Sequence, residues 1–170
     1  MRRAIAAAAL ILACRGVLAK SIPPGTYPFR TYGVDAGLTN LSAMHIAQDR
    51  TGFLWVATQD GVFRYDGNRF RHFGLRDGLP SSFVSSVCTD PAGDVWAMTG
   101  AGVVRFDGAR FRTITTLPAT GVNAIACDQR RHLWVAAQQG LYTGSGNRFT
   151  RVGGRLSSRI LKSSSFSSLT

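Results

Sequence analysis

LPSSFVSSVCTDPAGDVWAMTGAGVVRFDGARF, residues 79–111, is one copy of a unit that the chain writes three times. Aligned on tryptophan, the copies centre on Trp55, Trp96 and Trp134. Asp49, Asp90 and Asp128 stand six residues before each tryptophan, and Gly61, Gly102 and Gly140 stand six after. Gly67, Gly108 and Gly146 follow at twelve, and Phe70, Phe111 and Phe149 at fifteen. No copy needs an internal gap. The period changes only between Phe111 and Leu117, where the linker is three residues shorter. Self-similarity at about 40 residues marks solenoids and propellers, and it governs every later reading.

The middle copy reads as four short strands. Phe83–Thr89 alternates and ends at Asp90-Pro91-Ala92-Gly93, a run of turn formers. Asp94–Thr99 carries the tryptophan, and Gly102–Phe106 is β-branched and aromatic. Asp107-Gly108 closes a hairpin, and Arg110–Ile114 is the last strand. No run places apolar residues at i, i+3, i+4 and i+7, and no copy has room for two helices between its glycines. The prediction is an all-β chain of β-propeller blades: three four-stranded repeats, at about 39–76, 79–115 and 117–152.

One further match precedes the first blade. Phe29–Leu38 reads FRTYGVDAGL and Phe70–Leu79 reads FRHFGLRDGL. The segment 29–38 is therefore a lone fourth strand at its core, Phe29–Tyr32, of the kind that closes a propeller by completing a blade from the other terminus. Three blades and this closing strand make an incomplete ring. The open blade faces and strand edges invite self-association.

The ends read differently. Residues 1–19 have the form of a secretory signal: Arg2 and Arg3, an apolar stretch Ala4–Ala13, and small residues at Val17-Leu18-Ala19. This places the body in the periplasm or outside the cell. Lipoprotein anchoring at Cys14 is the lesser reading, because Ile11-Leu12-Ala13-Cys14 is only an approximate lipobox. Residues 20–28 form an extended linker with three prolines. From residue 153 to 170 the repeat stops, and seven of the last fourteen residues are serine. That composition predicts a disordered tail, as a frameshift or truncation would leave.

The net charge of +11 overstates the basicity of the body. From Ser21 to Thr150 there are twelve arginines and nine aspartates, an excess of about +3, scattered at equivalent repeat positions. A nucleic-acid surface needs a dense basic face, so no nucleic-acid partner is expected. Cys88 and Cys127 lie in the first strands of adjacent copies, offset by one repeat position. One residue of offset reverses the face of a strand. Two unpaired thiols are predicted.

Chemistry is sparse. His45, His72 and His132 fall at different repeat positions without ligand-spaced neighbours, and the chain has no glutamate. No catalytic, metal or cofactor site is predicted. The recurring aspartates are read as turn formers, and the tryptophans, with Phe70, Phe111 and Phe149, as core between blades. Positions that differ among copies are of more interest. Met44-His45 stands where Ser85-Ser86 and Asn123-Ala124 stand, and Gln59-Asp60 where Gly100-Ala101 and Gln138-Gln139 stand.

The unit GLPSSFVSSVCTDPAGDVWAMTGAGVVRFDGARFR resembles the two-component regulator propeller repeat, as do GLTNLSAMHIAQDRTGFLWVATQDGVFRYDGNRF and LPATGVNAIACDQRRHLWVAAQQGLYTGSGNRF. The third departs from the pattern: Arg130-Arg131-His132 lacks the turn glycine, and Ser145 replaces an aspartate. The resemblance covers roughly residues 29–152. It implies a periplasmic sensor propeller at the N-terminus of a hybrid histidine kinase or diguanylate cyclase, taking an extracellular ligand such as a carbohydrate fragment. Kinase, cyclase and receiver domains are absent, so no signalling chemistry transfers to any residue here. The alternatives are a secreted binding protein that completes a ring by self-association, and a propeller lyase or lactonase. The last needs channel-lining His, Asp or Glu from several blades, and only His45 is offered.

Overall fold

The computed structural model describes residues 29–153. The signal, linker and serine-rich tail read from residues 1–28 and 154–170 lie outside the described residues. The chain divides at Thr31/Tyr32 into two units. Of the first, only residues 29–31 are described. Residues 29–33 carry no strand, so the closing strand expected at Phe29–Tyr32 is not formed among the described residues. A strand needs a hydrogen-bonded neighbour, and the blade that would supply it was not expected within this chain.

The second unit contains three four-stranded antiparallel sheets, each a meander in chain order. The first blade holds β1 (Ala43–Gln48), β2 (Leu54–Thr58), β3 (Gly61–Tyr65) and β4 (Phe70–Phe73). The second holds β5 (Val84–Thr89), β6 (Val95–Thr99), β7 (Gly102–Phe106) and β8 (Phe111–Thr113). The third holds β9 (Val122–Cys127), β10 (Leu133–Ala137), β11 (Gly140–Ser145) and β12 (Arg148–Arg151). The strands expected for the middle copy agree with these to within a residue at each end. Register repeats as well: Trp55 faces Ala47 and Arg64, Trp96 faces Cys88 and Arg105, and Trp134 faces Ala126 and Thr143.

The glycines six residues after each tryptophan open β3, β7 and β11 with φ of 96°, 113° and 137°. At Gly61 a Cβ would fall 2.3 Å from the carbonyl oxygen of Phe73, so a side chain is excluded on two grounds. The missing turn glycine of the third copy has a visible consequence. Gly52 and Gly93 have φ of 94°, and Arg131, at the equivalent position, takes φ of 67°. It is the one non-glycine with positive φ among the described residues.

Blades pack face to face, with β1 against β5 and β5 against β9. One core is shared by the first two blades: Trp55, Ala57, Val62 and Phe73 meet Val84, Val87, Val95, Ala97, Val104 and Phe111. The next is shared by the second and third: Trp96, Val103 and Ile114 meet Leu117, Leu133 and Val135. Each buried tryptophan meets the fourth-strand phenylalanine of the following blade edge-on, Trp55 with Phe111 at 6.3 Å and Trp96 with Phe149 at 5.9 Å. Trp55 and Trp96 are buried, while Trp134, which has no following blade among the described residues, is only half-buried. The same asymmetry leaves Met44 and Ile46 of β1 exposed on the opposite flank.

The leading segment follows the repeat in its packing. Tyr32 meets Phe70 edge-on at 5.9 Å, as Phe73 meets Phe111 at 5.9 Å. Two 3-10 turns, Val34–Ala36 and Leu75–Asp77, then end at Gly37 and Gly78, with φ of 91° and 93°. Leu38 and Leu79 follow them into the core.

The expectation of two free thiols is overturned. Cys88 and Cys127 form a disulfide with Cα atoms 5.9 Å apart, joining β5 of the second blade to β9 of the third. The one-residue offset does not keep the two sulfurs apart. Within one sheet it puts two side chains on opposite faces. Adjacent blades, however, present opposite faces to each other. Cys88 lies opposite Trp96, whose side packs on the third blade, and Cys127 lies opposite Leu133, whose side packs on the second. The offset is what brings the two sulfurs into the same interface.

Candidate functional site

The recurring aspartates and tryptophans act as pairs. The Trp55 indole Nε1 donates to Asp49 Oδ2 at 2.7 Å, that of Trp96 to Asp90 at 3.4 Å, and that of Trp134 to Asp128 at 3.0 Å. The other oxygen, Oδ1, accepts backbone N–H groups of the β1–β2, β5–β6 and β9–β10 turns: Thr51 and Phe53, Ala92 and Asp94, Arg130 and His132. A six-residue spacing thus lets one carboxylate shape a turn and anchor a core ring. Indole donation, then the His132 N–H, lowers the Asp128 pKa to about 2. At Asp49 burial pulls the pKa up, and bonds from Thr51, Trp55 and Phe53 more than offset it, leaving it below the ordinary value. These bonds tie each turn to a core ring. The indole bond itself was not foreseen.

Two regions break the repeat. The first lies at the end of each blade where the first strand meets the loop between the second and third strands. The ladder is irregular at the same place in all three blades, leaving Met44, Ser85 and Asn123 as unpaired bulge residues. Bulges re-aim side chains and occur often at rims and binding sites. Ala43 pairs with Thr58, so Met44 and His45 lie at the same end of the sheet as Gln59 and Asp60. His72 Nε2 sits 2.5 Å from the Asp60 carbonyl oxygen, and its ring lies 4.7 Å from that of Phe63, which fixes this loop to β4. The loop threonines Thr58 and Thr99 donate to Gly61 and Gly102 carbonyls and accept the N–H of Asp60 and Ala101. Ala137 replaces them in the third blade. The symmetry-breaking residues Met44, His45, Gln59 and Asp60 therefore form one rim cluster on the first blade.

The second region is a cleft of about 420 Å³ between the first and second blades, at the opposite, aspartate-turn end. Asp49, Phe53 and Arg64 line one side, and Asp94, Arg105 and Asp107 the other. The sequence analysis did not single it out, because it pairs residues from two copies. Among the described residues, no three His, Cys, Asp or Glu side chains gather as a metal site.

Residues 37–60 match the family model described as the two component regulator propeller. That stretch is similar to one two component regulator propeller repeat. No curated protein sequence matches this propeller chain significantly. Among solved structures it is similar to the extracellular domain described as that of the hybrid two component system BT3049 of B. thetaiotaomicron, with 24% identity and a TM-score of 0.63. That match covers 73% of this chain and 20% of the solved domain. The corresponding domain of BT4673 from the same organism matches at 18% identity and a TM-score of 0.57, over 68% of this chain and 17% of that one. A streptogramin B lyase matches at 13% identity and a TM-score of 0.52, over 68% and 42%. At these identities the likenesses show the propeller fold. The chain spans about a fifth of the length of the two component domains it matches.

Proposed function

We propose that this propeller chain is part of the ligand-sensing input domain of a two-component-type regulator, exposed outside the cytoplasmic membrane and without catalysis of its own. The repeat match at residues 37–60 carries the reading. Two features support it. The Cys88–Cys127 disulfide suits an oxidising compartment, and the rim cluster Met44, His45, Gln59 and Asp60 gives one blade a character its neighbours lack. Among the described residues no helix is long and apolar enough to cross a membrane. The ligand class is an extracellular carbohydrate fragment.

The test is a thermal-shift screen of the purified chain against neutral oligosaccharide fragments, with chromatography of each fragment afterwards. A saturable rise in melting temperature with the fragment recovered intact is expected. Consumption of the fragment would move the reading to a lyase-type enzyme. A folded chain that responds to no fragment would remove the carbohydrate reading. A second reading, ring completion by self-association, is favoured by exposed Met44 and Ile46 on one flank and half-buried Trp134 on the other. Light scattering of the eluted protein separates the two: open, polydisperse association supports the input-domain reading, a closed oligomer of fixed copy number the binding-protein reading, and a monodisperse monomer with a sharp melt counts against the input-domain reading.

A further inference from the structure

The cleft between the first two blades contains an arginine, Arg64, with no carboxylate in ion-pair contact. Arg64 stands across the ladder from Trp55, as Arg105 stands across from Trp96. In the second blade the arginine is matched: Arg105 Nη1 lies 3.6 Å from Asp94 Oδ2. Asp94 is two residues before Trp96, and two residues before Trp55 stands Phe53. The first copy has kept the arginine and replaced its acid with a ring. The third copy has dropped both, with Thr143 and His132 at these positions.

The Arg64 guanidinium accordingly rests on aromatic faces, 4.6 Å from the Phe53 centroid and 5.5 Å from that of Trp55. These contacts hold a cation in place but accept none of its hydrogen bonds. Its Nε is buried with no acceptor. The side chain is nevertheless only half-buried and lines the cleft.

None of the carboxylates that line the cleft bonds it, although Asp49 keeps its negative charge because its own partners are neutral donors. Asp49 spends Oδ2 on Trp55 and Oδ1 on the Thr51 hydroxyl and two backbone N–H groups. Asp107 spends Oδ2 on Arg112 Nε and Oδ1 on the N–H groups of Ala109 and Arg110. Asp94 faces Arg105. Each acid's oxygens are committed, and Arg64 is held over Phe53 and Trp55 with no acceptor for its Nε.

We propose that this cleft is a binding site for an oxyanion, a carboxylate or a phosphate-like group, received by the Nη atoms of Arg64. A planar fork fixed against aromatic rings is pre-organised for two parallel hydrogen bonds to such a group. The site is separate from the rim cluster, and stands whether or not that rim binds a neutral carbohydrate.

The test is titration of the purified chain, followed by intrinsic tryptophan fluorescence, with sodium galacturonate, galactose and inorganic phosphate. Galacturonate or phosphate is expected to give a saturable change, and galactose none. A response to galacturonate alone assigns an organic carboxylate, and a response to phosphate alone a free inorganic anion. Arg64→Met, which keeps the stem over Phe53, is expected to weaken binding about tenfold or more. Arg64→Lys, which keeps the charge and loses the fork, is expected to fall between. Phe53→Asp supplies the acid present in the second copy, so it should abolish anion binding while circular dichroism shows the fold intact. The proposal is overturned by equal binding in Arg64→Met, by a galactose response matching that of galacturonate, or by no saturable response to either anion.

Discussion

Opening the disulfide between Cys88 and Cys127 is expected to cost this propeller fragment much of its stability without abolishing the fold. The bridge closes a loop with a sequence separation of 39. Loop-closure entropy for that length corresponds to about 4 kcal/mol removed from the denatured state's advantage. The interface it crosses is otherwise apolar, built from Trp96, Val103, Ile114, Leu133 and Val135, and this packing persists when the sulfurs separate. For an ordered body of this size, about 4 kcal/mol corresponds to a fall in melting temperature of roughly 15 °C. The assay is a pair of thermal melts on protein exported to an oxidising compartment, with and without reductant. Cys88→Ser/Cys127→Ser should reproduce the reduced curve and be insensitive to reductant. A non-reducing peptide map must show the two cysteines in one cross-linked fragment. If the map finds them as free thiols, or the melt moves by less than about 3 °C, the face-to-face account of the blade interface is wrong.

Arg131→Gly should stabilise the chain by about 0.5–1 kcal/mol, because Arg131 occupies a left-handed position that Gly52 and Gly93 hold in the other blades. A denaturant midpoint that stays put or falls would contradict this. Trp96→Ala should cost about 3–5 kcal/mol, since Trp96 is sealed between two blades. Trp134→Ala should cost clearly less by the same urea titration, because its ring is only half-buried. Equal losses would refute the idea that the tryptophans act through the following blade. Acid should loosen the third blade. The Asp128 pKa is depressed from 3.8 to about 2, so its contribution is fully present above pH about 4 and is lost as pH falls toward 2. Urea midpoints measured across that window should fall less steeply in Asp128→Asn than in the parent, and identical slopes would remove Asp128 as the cause.

Much of the architecture was legible because a gap-free repeat repeats its geometry. Trp55, Trp96 and Trp134 share a register, and so do their facing residues. The turn aspartates were legible for the same reason, but their second role was not. A six-residue spacing does not show that a side chain on a strand reaches back to the turn before it, yet the indole bond recurs in every copy. The leading segment was legible by its likeness to residues 70–79. Its packing follows that likeness through Tyr32 and Phe70, although residues 29–33 form no strand. A packed ring needs only an apolar neighbour, whereas a strand needs a hydrogen-bonded edge.

The disulfide and the Arg64 cleft were hidden for one common reason. Both lie between copies, and aligning copies compares equivalent positions rather than the facing residues of neighbouring blades. A contact between neighbouring blades joins the forward face of one repeat to the backward face of the next. In strand terms it joins residues of opposite parity: Cys88 on the tryptophan side meets Cys127 on the leucine side. The same logic makes position 53 informative. Phe53 and Asp94 look like an unremarkable surface exchange when aligned. Seen within the blade, the exchange leaves Arg64 without the acid that Arg105 has, inside a cleft that Asp94 and Arg105 themselves help to line. In a repeat protein the differences most telling for binding are those that leave one copy with a single member of a pair found in its neighbour, because that residue keeps its place and has donors to offer.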